Sequence, residues 1–113
     1  MHKLALILAC ILAFGACGKA AGGSADGAQV FQSICAACHG PAGKPDQVMI
    51  ERLGVRDLTA PEFRARVSPA LVEAQVRSGS KNKLMPAFEG ALTDEQIKGV
   101  AEFVAAKSFP AHR

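Results

Sequence analysis

Cys35-Ala36-Ala37-Cys38-His39 is the most chemically explicit stretch of this 113-residue chain. Two thiols three positions apart share one face of a helix, so both sulfurs can reach one edge of a flat ring while the next residue turns its imidazole onto a metal at the centre. Cys-x-x-Cys-His is the covalent attachment signature of a c-type haem, and that geometry is the physical reason for its spacing: the thiols of Cys35 and Cys38 add to porphyrin vinyl groups and His39 ligates the iron. Other chemistries fit these residues less well. A structural zinc site usually takes four protein ligands, and the remaining cysteines, Cys10 and Cys17, stand at the far N-terminal end. A thioredoxin-like redox pair needs a strand-helix-strand setting, which is not visible. A disulfide across two residues would be strained and leave His39 without a role.

The flanking sequence reads as helices and no strands. Asp26 is a natural N-cap, and Val30, Phe31, Ile34 and Ala37 recur at helical spacing through Cys38. Gly40, Pro41, Gly43 and Pro45 then enforce a loop. Val48 to Leu53 fits a turn of helix, and Thr59-Ala60-Pro61-Glu62 reads as a capping box opening a short helix from Glu62 to Val67. Ser68-Pro69 opens another through Leu71, Val72 and Val76, stopping near Gly79. The last helix is capped by Thr93 with Gln96, carries Asp94 and Glu95 in its first turn, and aligns Ile97, Val100, Ala101 and Val104 in one apolar stripe. No segment sustains an apolar-polar alternation, so the expected fold class is all-α.

Composition asks what fills the core. Hydrophobic residues make up 50% of the chain, but many lie in the first 16 positions and many of the rest are Ala; there is no Trp or Tyr. Residues 17–113 hold 23 of Val, Ile, Leu, Met and Phe. A domain this small often needs a cofactor, metal or disulfide to complete its interior. The net charge of +3, without a basic block, excludes a strongly basic nucleic-acid binder; length and hydropathy exclude a multidomain enzyme and a polytopic membrane protein.

The start reads as an address. Met1, His2 and Lys3 precede eleven apolar residues from Leu4 to Phe14, then Gly15 and Ala16. That is the pattern of a secretory signal over residues 1–16, short of the ~20 apolar residues a membrane span needs. Phe14-Gly15-Ala16-Cys17 resembles a bacterial lipobox, which makes Cys17 a lipidation site, although Phe14 stands where Leu is usual. Ordinary cleavage after Gly15, Ala20 or Ala25 is the competing reading. Residues 17–25 form a Gly- and Ala-rich tether whose flexible part reaches on the order of 16 Å, leaving 26–113 as the haem domain. The expected location is exported and periplasmic, tethered to a membrane.

Three features, in order, resemble the class I c-type cytochromes: a helix with Gly27 and Phe31 leading into Cys35-Ala36-Ala37-Cys38-His39-Gly40, a Met85-Pro86-Ala87-Phe88 segment, and a C-terminal helix opening Leu92-Thr93-Asp94-Glu95-Gln96-Ile97. The resemblance implies a cytochrome c fold, with three main helices and short helical turns wrapped round one covalently attached haem c. It also implies that the first and last helices cross at right angles near Gly27, Phe31, Gly99 and Phe103. Phe103 stands where a Tyr is common.

Met85 is the candidate second axial ligand. It follows His39 by 46 residues, enough chain to reach the iron's opposite face, and Pro86 stiffens the approach. A Met is more often a core gap-filler, but Met1 belongs to the signal, Met49 sits in a helical turn, and His112 is near the chain end. Pro45 is the candidate carbonyl to receive the second N–H of His39, and Arg52 and Arg56 are candidates to meet the propionates. Arg77, Lys81 and Lys83 could ring the haem edge and steer an acidic partner.

The site lacks paired carboxylates, a Ser-His-Asp set or a nucleotide loop, so the expected function is a monohaem electron carrier between redox proteins, not an enzyme. Its expected partners are a redox donor and acceptor, with no nucleic acid and no small-molecule substrate, and the chain is expected to be a monomer. Two other classes stay open: a haem-based gas sensor or weak peroxidase with a free sixth site, and a metal or thiol interaction module without haem.

Overall fold

The structure, a computed structural model, describes residues 24–111. The expected signal, Cys17, most of the tether and His112 lie outside the described residues. The regular elements of the described residues are all helices, with no strand beyond an isolated bridge between Glu89 and Leu92. No helix among them is long and apolar enough to cross a membrane.

Asp26 caps the first helical run by accepting the Gln29 N–H at 3.1 Å. The run was expected as one regular helix, but consists of α1 (Gly27–Val30), a π-helical stretch (Phe31–Cys35) and α2 (Ala36–His39). The wider turn closes on an Ala36 N–H to Phe31 carbonyl bond. Such stretches are common at functional sites; this one ends on Cys35 and leads into Cys38 and His39. Helix α3 (Gln47–Leu53) starts at an Asp46 cap that sequence reading missed and stops at left-handed Gly54.

The stretch after α3 corrects an expectation. Thr59 caps nothing: its N–H and hydroxyl both donate to Asp57, at 2.8 and 2.6 Å. Helix α4 is only Pro61–Arg64, with Ala60 as an N-cap that makes no side-chain bond. The cap position falls one residue later than the capping box implies, with Pro61 at the first position of the helix, so Thr59 lies ahead of the cap and its hydroxyl donates instead to Asp57, two residues upstream. Helices α5 (Pro69–Ser78) and α6 (Asp94–Ala105) follow expectation, one capped by Ser68 and ended by Gly79, the other opened by the Thr93–Gln96 capping box.

The core is the place where α1, α5 and α6 meet. Val30, Phe31, Ile97 and Val100 are essentially sealed from solvent, and Val72, Val76, Ala101 and Val104 join them. Completely burying a side chain such as Phe31 contributes about 1.5–3 kcal/mol. The first and last helices approach where expected: a Cβ on Gly27 would collide with the Gly99 carbonyl and lie 2.8 Å from the Phe103 Cβ. Only glycine permits that contact. Phe31, Phe103 and Phe109 then form a three-ring cluster with centroids 5.3–5.6 Å apart, within the favourable range for tilted and edge-on pairs.

Arg64 ties α4 to the end of α6. Its guanidinium donates to the carbonyls of Val104 at 2.7 Å, Ala106 at 2.8 Å and Leu58 at 3.3 Å, and lies 5.1 Å from the Phe109 ring centre. A cation at a helix C-terminus satisfies carbonyls that have no helical partner.

Candidate haem site

The elements enclose one large cavity of about 580 Å³, a size suited to a cofactor. Cys35, Cys38 and His39 line it from the first helical run, Val72 and Val76 from α5, Met85, Pro86 and Phe88 from the loop after α5, and Val100 and Val104 from α6. The four residues singled out in the sequence, Cys35, Cys38, His39 and Met85, therefore share one cavity. Met49 does not line it.

His39 is oriented by a hydrogen bond. Its Nδ1 lies 3.0 Å from the Arg56 carbonyl oxygen. A carbonyl only accepts, so Nδ1 carries the proton and donates, leaving the Nε2 lone pair as the ligating position. Burial pushes the imidazole pKa below its ordinary value, and the Arg56 bond opposes that without reversing it. The ring is thus held neutral near pH 7, the form that binds a metal. The carbonyl expected from Pro45 is supplied by Arg56, because the loop folds back seventeen residues on; Pro45 is instead buried in the loop ahead of α3.

The thiols of Cys35 and Cys38 are free, the first half-buried and the second exposed. Burial, with a smaller contribution from the Cys38 charge, pushes the Cys35 thiol up to about 11, so it remains a thiol at neutral pH.

Met85 is held by its own loop. The Ser80 N–H donates to the Met85 carbonyl at 2.9 Å, and the Met85 N–H donates to the Ser80 hydroxyl at 3.0 Å. The Phe88 N–H reaches back to the Val76 carbonyl at 2.9 Å. Gly79, at φ +70°, lets this loop lie directly against α5: a Cβ there would meet Pro86 and Ala87 backbone atoms within 2.8 Å. Ser80 and Gly79 carried no recognisable signal in the sequence beyond the helix stop.

The expected cationic ring is corrected. Arg77 does not line the cavity; its guanidinium is bound to Glu73, Glu89 and Asp94 at 2.6–2.9 Å. Lys81 and Lys83 remain exposed beside Met85. Of the arginines expected near propionates, Arg56 lines the cavity and Arg52 does not, while Arg66, missed in the sequence, does.

Comparison with known proteins agrees with the fold. A family model described as "Cytochrome C oxidase, cbb3-type, subunit III" matches residues 23–104. The cytochrome c6 of Synechococcus elongatus is 41% identical over 80 residues, covering 71% of this chain and 85% of its own length. That of Anabaena variabilis is 40% identical over 85 residues, covering 75% and 92%. The solved structure of the KustC0563 c-type cytochrome superposes with a TM-score of 0.62 at 30% identity, covering 71% of this chain and 94% of that one.

The chain belongs to the class I c-type cytochromes, with the cytochrome c fold that the helices describe. Within that class it is a small monohaem electron carrier, holding one covalently bound haem c and exchanging electrons with redox-protein partners. The cavity fits that group: apolar walls suit a porphyrin, two thiols flank one side, and Arg56 and Arg66 stand exposed at the lining where ionised propionates need cations.

Proposed function

We propose that Cys35 and Cys38 are the two thioether attachment points and that His39 and Met85 are the axial ligands of the iron. The observation that carries this reading is the convergence of these four side chains on a single cavity, with the Nδ1 of His39 already committed to Arg56. When bound, the haem supplies a one-electron couple, and a thioether opposite an imidazole raises its potential.

The chain's own residues do the rest. Arg56 fixes the imidazole plane and tautomer, Ser80 fixes the backbone of Met85, and the apolar walls from α5 and α6 exclude water. Excluding water limits how far the surroundings must reorganise when the charge changes. With two side chains committed to the metal, no position remains for a substrate, so the protein carries electrons without catalysing a reaction.

The same reading makes the chain an exported, periplasmic protein, monomeric and anchored through a lipid on Cys17, free to meet membrane-bound and soluble redox partners. Supporting it are the apolar run from Leu4 to Phe14, the lipobox-like Phe14-Gly15-Ala16-Cys17 and the Gly-rich tether. A Triton-type detergent partition of the native protein tests the anchor: recovery in the detergent phase is expected, and loss of that partition in Cys17→Ser attributes it to Cys17. Recovery of the wild type in the aqueous phase would contradict the anchor.

The coordination is tested by the absorption spectrum of the ferrous protein before and after carbon monoxide. The expected result is slow and incomplete change. Rapid, complete binding would favour the sensor or peroxidase alternative.

A further inference from the structure

We propose that Arg77 is a positioning residue for Met85, clamping the loop that carries it and thereby keeping the iron closed to external ligands. This inference rests on the reading of Met85 as an axial ligand and goes beyond it.

Arg77 occupies the penultimate position of α5, two residues before the Met85 loop leaves the helix. Its Nε and Nη2 donate to Glu73 Oε1 at 3.2 and 2.9 Å, one turn back on the same helix. Its Nη1 donates to Glu89 Oε2 at 2.6 Å and to Asp94 Oδ1 at 2.9 Å. Glu89 follows Met85 on the returning arm of the loop, and Asp94 is the first residue of α6. One guanidinium therefore joins the departure, the return and the landing point of a single loop.

The arrangement is unbalanced by design of charge: one cation faces three carboxylates. Without Arg77, Glu73, Glu89 and Asp94 are left facing each other, and their repulsion acts directly on the returning arm. The core is insulated from that change, because α5 and α6 are joined independently through Val72, Val76, Ile97 and Val100. Loss of the clamp should therefore appear as local opening of the loop and not as global unfolding. The arginine side chain is 24% exposed, while Glu89 and Asp94 are 61% and 69% exposed, so the clamp is also salt-sensitive.

The test measures carbon monoxide association with the ferrous holoprotein in four variants, alongside chemical unfolding midpoints. Association scales with the fraction of molecules whose sixth position is open. Wild type should be slow and Met85→Ala fast. Arg77→Gln should exceed wild type by roughly threefold to tenfold, the scale of a partly exposed charge network, with Arg77→Lys in between. High salt should raise the wild-type rate, by screening the clamp, and lower that of Arg77→Gln, by screening the repulsion among the three carboxylates left behind. If Arg77→Gln yields no holoprotein, the Glu89→Gln, Asp94→Asn double variant decides the matter by the same readout.

A variant as slow as wild type while Met85→Ala is fast overturns the clamp alone. So does a lowered unfolding midpoint with an unchanged association rate, the mark of a merely structural role. Wild type as fast as Met85→Ala removes the ligand reading and the inference with it.

Discussion

Ser80 and Met85 hold each other through two backbone-directed bonds, the Ser80 N–H on the Met85 carbonyl at 2.9 Å and the Met85 N–H on the Ser80 hydroxyl at 3.0 Å. The Ser80 hydroxyl passes its own proton to Asn82 Oδ1 at 2.6 Å, which also receives the Leu84 N–H at 3.0 Å. Three residues ahead of Met85 are thus stitched into one tight turn, and the orientation of the thioether follows from it.

Ser80→Ala keeps one of the two bonds and leaves the Met85 N–H without a partner. The expected cost to the loop is about 1 kcal/mol, enough to raise the affinity of ferric protein for added imidazole by roughly threefold to tenfold. A titration followed by absorption measures this, and Ser80→Thr, which retains the hydroxyl, should remain near wild type.

Arg64→Ala removes three bonds to carbonyls at the end of α6 and around Leu58 and uncovers the Phe109 ring. The expected loss is about 2–4 kcal/mol in unfolding free energy, because part-buried bonds from a charged donor to carbonyls are among the stronger ones. Arg64→Lys should recover less than half, since an ammonium cannot reproduce the fork. Denaturant unfolding monitored at the helix signal reads both, and the haem absorption of the folded protein should not move.

Asp57 gives a pH signature. The Thr59 hydroxyl bond, first among several contributions, holds the Asp57 carboxyl below the usual carboxylate range. A lowered folded-state pKa means stability that is complete above about pH 4 and is lost as pH falls through the folded value. Thr59→Val should lower the unfolding free energy modestly and evenly from pH 5 to 8, by at most about 1 kcal/mol because solvent screens the acceptor. The gap between variant and wild type should close below pH 4. Melts across that range check it, and a gap that widens in acid would contradict the assigned bond.

The residues whose signals are local were legible in the sequence. Asp26, Ser68 and Thr93 cap the helices expected of them, because a cap needs only the next three residues. Cys35, Cys38 and His39, singled out by spacing, and Met85, singled out by its Pro and its distance from His39, line the same cavity. What the sequence hid depends on chain that returns from afar. The Arg56 carbonyl reaches His39 across seventeen positions, and Arg64 reaches Val104 across forty. Arg77 meets Glu89 and Asp94 only once the Met85 loop has closed, which is why it reads as a free surface charge before folding. The Thr59 capping box failed by one residue of register: the helix starts at Pro61 behind Ala60, which leaves Thr59 outside the cap position.

The shortage of large apolar residues also acquires a place in the fold. The cavity of about 580 Å³ is lined by Val72, Val76, Val100 and Val104 of the core, and a porphyrin supplies the interior that Ala-rich helices do not.

The central claim is that one haem is held covalently through Cys35 and Cys38, and the intact mass of the denatured protein tests it most directly. Wild type should carry the mass of one haem through denaturation, and the Cys35→Ala, Cys38→Ala double variant should carry none. A wild-type mass equal to that of the bare polypeptide, or a double variant that keeps the haem, would contradict the account.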